Sequence, residues 1–172
     1  MKIPFSLLVI LMPVLLTAQT LNQKAFDEKR NNEMLVGYCT REGFKMIQSN
    51  FDSAYQAEYP IYKSDAATME ILKTKLKKVK VTIVMGTWCS DSRDWVPRFY
   101  KVMDEAGFDY RKLTLICVDH VKKAPVNGLD KLKIDRIPTF IFYKKKKELG
   151  RIVEVPTDLI EKDMLKILGK IR

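Results

Sequence analysis

Soft metal-ligating side chains are scarce in this sequence: one histidine, His120, and three cysteines, Cys39, Cys89 and Cys117, in 172 residues. Neither a C-x-x-C nor an H-x-x-x-H spacing occurs, so no metal site of the usual short-spacing kind is expected. A Gly-rich phosphate loop is missing, and so is a Ser/His/Asp arrangement, which removes P-loop nucleotide hydrolysis and triad chemistry from consideration. Internal repeats and low-complexity tracts are absent as well. Acidic side chains are in deficit, 21 against 31 basic ones, for a formal net charge of +10. The excess is mostly dispersed lysine, and its one dense run, residues 144–147, reads as a solvated hairpin turn, so nucleic acid is not an expected partner. Long apolar runs are lacking too. The longest, residues 7–16, is interrupted by Pro13 and is short for a bilayer span. With Lys2 ahead of it and small or polar residues behind, residues 1–19 read as a secretory signal peptide, leaving a mature chain without a stable membrane span.

What remains is enough for one good core. A chain of 172 residues with 47% hydrophobic content supports a single globular domain. An odd number of cysteines in an exported chain leaves at least one thiol free or paired outside it, which keeps redox chemistry open.

Residues 20–64 read as an N-terminal extension. Residues 22–33 are polar and charged, suited to a helix start or a mobile arm, and MLVG at residues 34–37 reads as a short strand ahead of Cys39. Thr40 can cap a short helix carrying Phe44, Met46 and Ile47, and Phe51, Tyr55, Tyr59 and Tyr62 follow at packing intervals. From residue 65 the pattern is that of an α/β domain. Ser64 or Asp65 caps a helix bearing Met69, Ile71, Leu72 and Leu76. A strand at residues 81–84 runs into a turn and then a helix over residues 92–106 that contains Pro97 and stops at Gly107. Residues 113–119, LTLICVD, form an apolar strand in which Cys117 is a buried packing residue. Residues 121–135 form a loop with a short helical piece. Residues 137–143 and 149–155 form a hairpin, and a last helix capped by Thr157 or Asp158 closes the chain with Leu159, Ile160, Met164, Leu165, Ile167 and Leu168.

The chemistry concentrates in residues 81–97, VTIVMGTWCSDSRDWVP. A β-branched run stops at Gly86, and Cys89 falls at the start of the following helix, where unpaired N–H groups and the helix dipole favour a thiolate. Asp91 and Asp94, three apart at a helix start, are charges that suit its N-terminus, and His120 reads as exposed or loop-packing.

The strand leading into Trp88-Cys89-Ser90-Asp91-Ser92, Pro97 eight residues after the cysteine, the strand ending in Asp119, and Ile137-Pro138-Thr139 opening a hairpin together resemble a thioredoxin-fold protein over residues 65–172. Within that superfamily the chain is most similar to exported bacterial thioredoxin-like proteins with a W-C-x-D-S turn. The resemblance implies a central mixed sheet flanked by helices, here with a helical N-terminal extension. It makes Cys89 the nucleophile, Trp88 its flanking aromatic, Pro97 the helix kink and Pro138 a cis-proline. Ile137, Pro138 and Thr139 would then shape a groove for extended peptide. Location in the periplasm of a Gram-negative bacterium follows as an expectation.

Three departures bear on activity. Ser92 stands where the family has a resolving cysteine, so Cys89 has no local partner, although a Ser hydroxyl can donate to a thiolate. Asp91 places a carboxylate where it opposes thiolate formation, with Arg93 as partial offset. Ile83 occupies the position of a buried acidic residue that assists proton transfer. Two functions stay open. In one, Cys89 acts as a monothiol on protein or low-molecular-weight thiols and disulfides, without cofactor, and the adduct is released by an external thiol or by Cys39. In the other, the groove binds extended peptides or a partner without redox turnover.

Overall fold

A computed structural model describes residues 20–169; the expected signal peptide lies outside them. Six strands form one mixed sheet in the order β1-β2-β4-β3-β5-β6: β1 (Gln23–Asp27), β2 (Asn32–Cys39), β3 (Lys80–Met85), β4 (Leu113–Cys117), β5 (Thr139–Lys144) and β6 (Lys147–Val153). The pair β3 and β4 is parallel, joined by a crossover through α3 (Ser90–Glu105), and every other pairing is antiparallel. The remaining helices are α1 (Asn50–Ile61), α2 (Ala66–Lys75) and α4 (Ile160–Leu168). From β3 onward this is the thioredoxin topology: strand, helix, parallel strand, then a β-hairpin and a closing helix.

The period-2 alternation of the central strands separates two cores. Val81, Ile83 and Met85 of β3, Leu115 and Cys117 of β4, and Phe140 and Phe142 of β5 face the main core with side chains from all four helices, including Phe51, Leu72, Phe99 and Met164. The intervening residues Val84 and Ile116 join Val118, Ile137 and Cys89 in a smaller core. Ala124, Val126, Leu129, Leu132 and Ile134 of the long loop pack on it. Ile83 is fully buried in the main core, surrounded by apolar side chains rather than available for proton transfer.

The helix boundaries follow local signals. Asp65, not Ser64, caps α2 by accepting from Thr68 N. Ser49 caps α1 through Phe51 N, a cap unread in the sequence. Gly107 adopts φ +64 just past α3, the left-handed geometry that ends helices. The cap expected at Thr157 or Asp158 is not what starts α4. The helix begins at Ile160 without a side-chain cap, and Asp163 reaches back to accept from Thr157 Oγ1 at 2.8 Å.

Residues 20–64 carry the expected helix, α1, together with a 3-10 turn, but their first part is a β-hairpin. Residues 22–33 are neither a helix start nor an arm: they supply β1 and the turn into β2, and β2 pairs with β4, so the extension completes the domain's own sheet. The MLVG strand is the centre of β2. The residues after Thr40 make a 3-10 turn, Arg41–Met46, capped by Thr40 Oγ1 as expected.

Two of the carboxylates that bind this segment to the rest, Asp104 and Glu161, each gather more than one donor. Asp104 of α3 accepts from Arg41 Nη1 at 2.7 Å and Tyr59 Oη at 2.6 Å through Oδ2, and from Tyr110 Oη at 2.5 Å through Oδ1. Arg41 sits 4.9 to 5.1 Å from the ring centres of Tyr55, Tyr59 and Tyr100, so these tyrosines pack around a cation. Burial alone would pull the Asp104 carboxyl up, but hydrogen bonds from Tyr110, Tyr59 and Arg41 outweigh it and hold the group below its ordinary value. A folded value below the unfolded one, about 4, makes the carboxylate stabilising above that pH and progressively less so as pH falls through the folded value. The stability difference between wild type and Asp104→Asn, measured by urea unfolding, is therefore expected to be constant near neutrality and to shrink below about pH 4. A difference independent of pH would show that the carboxylate's charge contributes nothing. The second carboxylate, Glu161, is fully buried in α4 and accepts from Tyr62 Oη at 2.6 Å and Asp65 N at 2.7 Å.

Candidate functional site

The parallel strand β3 is buried on both faces and ends at Met85. Gly86 then lets the turn double back under Trp88, because a Cβ on it would come within 2.6 Å of the indole and 3.0 Å of Ile137 Cδ1. Cys89 N donates to Gly86 O at 3.0 Å, and Cys89 O accepts from Arg93 N at 3.1 Å, which makes Cys89 the N-cap of α3. Its own backbone is extended and its side chain caps nothing. The helix therefore begins two residues earlier than the sequence pattern indicated, at Ser90, and its N-terminal dipole meets the thiol directly.

Across the turn lies the start of β5. The Ile137–Pro138 bond is cis, and Cys89 Sγ donates to Ile137 O at 3.5 Å. Pro138 has no N–H to offer, and the thiol's contact here is with the Ile137 carbonyl. Cys89 is 8% exposed: recessed, yet at the surface. Thr139 is buried and donates its hydroxyl to Arg136 O at 2.5 Å, so it braces the 136–139 turn from behind rather than lining a groove.

Ser92 does not take the role its chemistry allowed. It is fully buried, and its Oγ accepts from Gly86 N at 3.4 Å, steadying the turn instead of donating to the thiol. Asp91 and Arg93 are half-buried in the first turn of α3. Arg93 faces a cavity of about 270 Å³ with Asp27, Arg30, Thr87 and Trp88. Cys39 is not brought to the site at all. It belongs to the main core on the helix-covered side of the sheet, whereas Cys89 belongs to the smaller core on the other side. A direct attack of Cys39 on a Cys89 adduct would require the sheet to open.

Sequence reasoning missed the support that β1 and β2 give this turn. Leu35 N donates to Thr87 Oγ1 at 3.2 Å, locking the turn to β2. Trp88 donates Nε1 to Val118 O at 2.9 Å, and His120 lies against its ring with centres 4.0 Å apart. His120 Nε2 is 2.9 Å from Oδ1 of Asp27, a buried carboxylate. Burial pulls the Asp27 carboxyl up, but His120 and the N–H groups of Arg30 and Lys29 outweigh this and leave it below its ordinary value. His120 is thus a packing residue of the loop, as one of its two readings had it. The available signal was slight: β1 reads QKAFD, and only Asp27 in it is buried, the reverse of an apolar pattern.

Among the described residues no group of three or more His, Cys, Asp or Glu side chains is placed to hold a metal ion, and no described helix is long and apolar enough to cross a membrane. A cavity of about 680 Å³ is an open hollow in the loop over residues 121–135 and does not include Cys89.

No protein-family model matches the chain, and no curated protein matches it in sequence. Solved structures do. The germline-specific thioredoxin Deadhead of Drosophila melanogaster is 16% identical, with 60% of this chain and 90% of that one covered at a TM-score of 0.39. Thioredoxin O2 of Arabidopsis thaliana in its oxidised state is 23% identical, with 59% and 90% covered at 0.39. A Pseudomonas aeruginosa protein of unknown function is 12% identical, with 73% and 78% covered at 0.47. The likeness is one of fold.

Proposed function

We propose that this chain is an exported thioredoxin-like protein that exchanges disulfides through Cys89 as a monothiol. The observation that carries the reading is the position of Cys89 Sγ, at the N-terminus of α3 and 3.5 Å from the carbonyl of Ile137. The Cys89 thiolate would attack one sulfur of a disulfide in a protein or a low-molecular-weight thiol compound. A Cys89–S–S–R bond forms, and the other sulfur leaves as a thiolate that takes a proton from solvent. A second, external thiol then attacks the mixed disulfide and returns Cys89 to its reduced state. Trp88, Ile137 and Pro138 would border the extended segment bearing the target sulfur, with the Ile137 carbonyl as the backbone acceptor that the segment competes for. Residues 1–19 are read as the export signal, placing this exchange in the periplasm of a Gram-negative bacterium.

A non-redox groove that binds extended peptide is the competing function, and the bonding of Ser92 to Gly86 rather than to the thiol favours it. Trapping separates the two. Incubation with a glutathionylated peptide is expected to give mixed disulfides on wild type that map to Cys89 and are abolished in Cys89→Ser. The same peptide bound without any covalent adduct would support the groove alone. Cys39→Ser should leave the lifetime of the adduct unchanged; a several-fold longer lifetime would make Cys39 the resolving thiol despite its place in the other core.

A further inference from the structure

The two cysteines outside the turn lie together. β2 and β4 pair antiparallel with Gly37 opposite Cys117 and Cys39 opposite Leu115, so Cys39 and Cys117 are diagonal neighbours on one face of the sheet. Both belong to the main core. The register and the shared core make each thiol the other's neighbour, and each shifts the other's titration. Cys39 in turn donates to Gly37 O at 3.5 Å. Cys117 is sealed at 0% exposure, but Cys39 is 7% exposed. It reaches a cavity of about 280 Å³ bounded by Arg41, Glu42, Tyr100, Tyr110 and Leu115. One thiol of the pair therefore faces the outside and the other stands behind it.

We infer that Cys39 and Cys117 form a second redox site, a dithiol that a low-molecular-weight disulfide entering the Arg41 cavity oxidises to a disulfide joining β2 to β4. Cys39 attacks one sulfur of the incoming disulfide, R–S–S–R, to give Cys39–S–S–R and release the first thiol, R–SH. Cys117 then attacks Cys39 Sγ, losing its proton to the departing sulfur, so that a Cys39–Cys117 bond forms and the second R–SH leaves. The protein loses two electrons and two protons, and the disulfide gains both. The division of labour agrees with the environment of each sulfur. The neighbouring Cys117 lowers the Cys39 thiol against the opposing effect of burial. Burial, then the neighbouring Cys39, hold Cys117 well above the usual thiol range and keep it protonated until it is needed. A bond here would fasten the segment that carries β1 and β2 to the strand that runs beside β3. This site shares no residue with the Cys89 turn and does not depend on its activity.

The test uses the full chain carrying Cys89→Ser, in which Cys39 and Cys117 are the only thiols left. The native protein is incubated with glutathione disulfide, quenched in acid, unfolded and alkylated. The number of alkylated thiols is expected to fall from two to none, with Cys39 and Cys117 cross-linked in the peptide map and both recovered after reduction. With Cys117→Ala added, the reaction should stop at a single glutathione adduct on Cys39. If that variant fails to fold by circular dichroism, the first measurement decides alone. Two free thiols after native incubation, a stable glutathione adduct in the protein that retains both cysteines, or a cross-link that forms only in urea would each overturn the inference.

Discussion

On the proposed monothiol reading, replacing Ser92 with cysteine is expected to make Cys89 self-resolving. Ser92 lies three residues into the helix capped by Cys89, and side chains three apart on a helix are neighbours at disulfide range. A thiol there would attack the Cys89 mixed disulfide intramolecularly, which replaces an encounter at millimolar external thiol with an effective concentration that is higher by roughly tenfold or more. Release of a trapped substrate should accelerate by about that factor, and the protein should end with Cys89 in a disulfide to the introduced cysteine instead of as a free monothiol. The substitution is mild structurally. Ser92 is sealed from solvent and its Oγ is held by one long contact, 3.4 Å from Gly86 N, so little bonding is lost when sulfur takes its place. Rapid-quench mass spectrometry of the adduct gives the rate directly. An unchanged adduct lifetime with the introduced thiol still reduced would mean that the turn holds position 92 turned away from the sulfur, and the monothiol character would then belong to the backbone as well as to the residue.

Gain at position 92 would not restore everything. Ile83 is packed in the main core, so the position that the resemblance gives to a buried acid holds an apolar side chain here. The polar support of this turn comes from the other side, through Asp27, His120 and Thr87. It steadies the Trp88 side of the turn rather than its core side. The proposed reactivity of Cys89 would therefore rest on the N-terminus of α3, because Ile137 O, 3.5 Å away, accepts from the neutral thiol.

The part of this architecture legible in the sequence is the part whose signals are local. The β-branched run at residues 81–84, the Gly86 stop, the position of Pro138 and the amphipathic last helix each state their structure within a few residues, and the folded domain from β3 onward follows them. The segment before it does not. β1 is exposed along most of its length and β2 is buried at four consecutive positions, 34–37, so neither shows clean alternation, and their strand character comes from pairing with each other and with β4. The same long-range pairing hid Asp27, which has no local motif and meets His120 only because the β1–β2 hairpin folds back on the Cys89 turn. It also hid the relation of the cysteines. Cys39 and Cys117 are 78 residues apart in sequence, and only the β2–β4 register puts them on one face, with Cys89 on the other.

Glu161 marks where this dependence on distant contacts is greatest for stability. Its carboxylate is fully buried and receives the Tyr62 hydroxyl and the Asp65 backbone N–H, the second of which lies at the N-cap of α2. It joins the end of the N-terminal segment, the start of α2 and the first turn of α4 in one hydrogen-bonded cluster. Burial first, then the Glu161 carboxylate, push the Tyr62 phenol above its usual range, so the phenol stays a donor at any physiological pH. Glu161→Ala would strand two donors at roughly 1 to 3 kcal/mol each and leave a void where the side chain was. A destabilisation of about 3 to 5 kcal/mol is expected, a fall in melting temperature of about 10 °C or more for a domain of this size. Tyr62→Phe removes only one bond and should cost about 1 kcal/mol, and in the double variant the two losses should not add, because the phenol has no acceptor once Glu161 is gone. Glu161→Gln keeps one acceptor oxygen and should fall between the single extremes. Additive losses in the Tyr62 and Glu161 cycle would show that the carboxylate acts through Asp65 and packing alone, with the phenol a bystander.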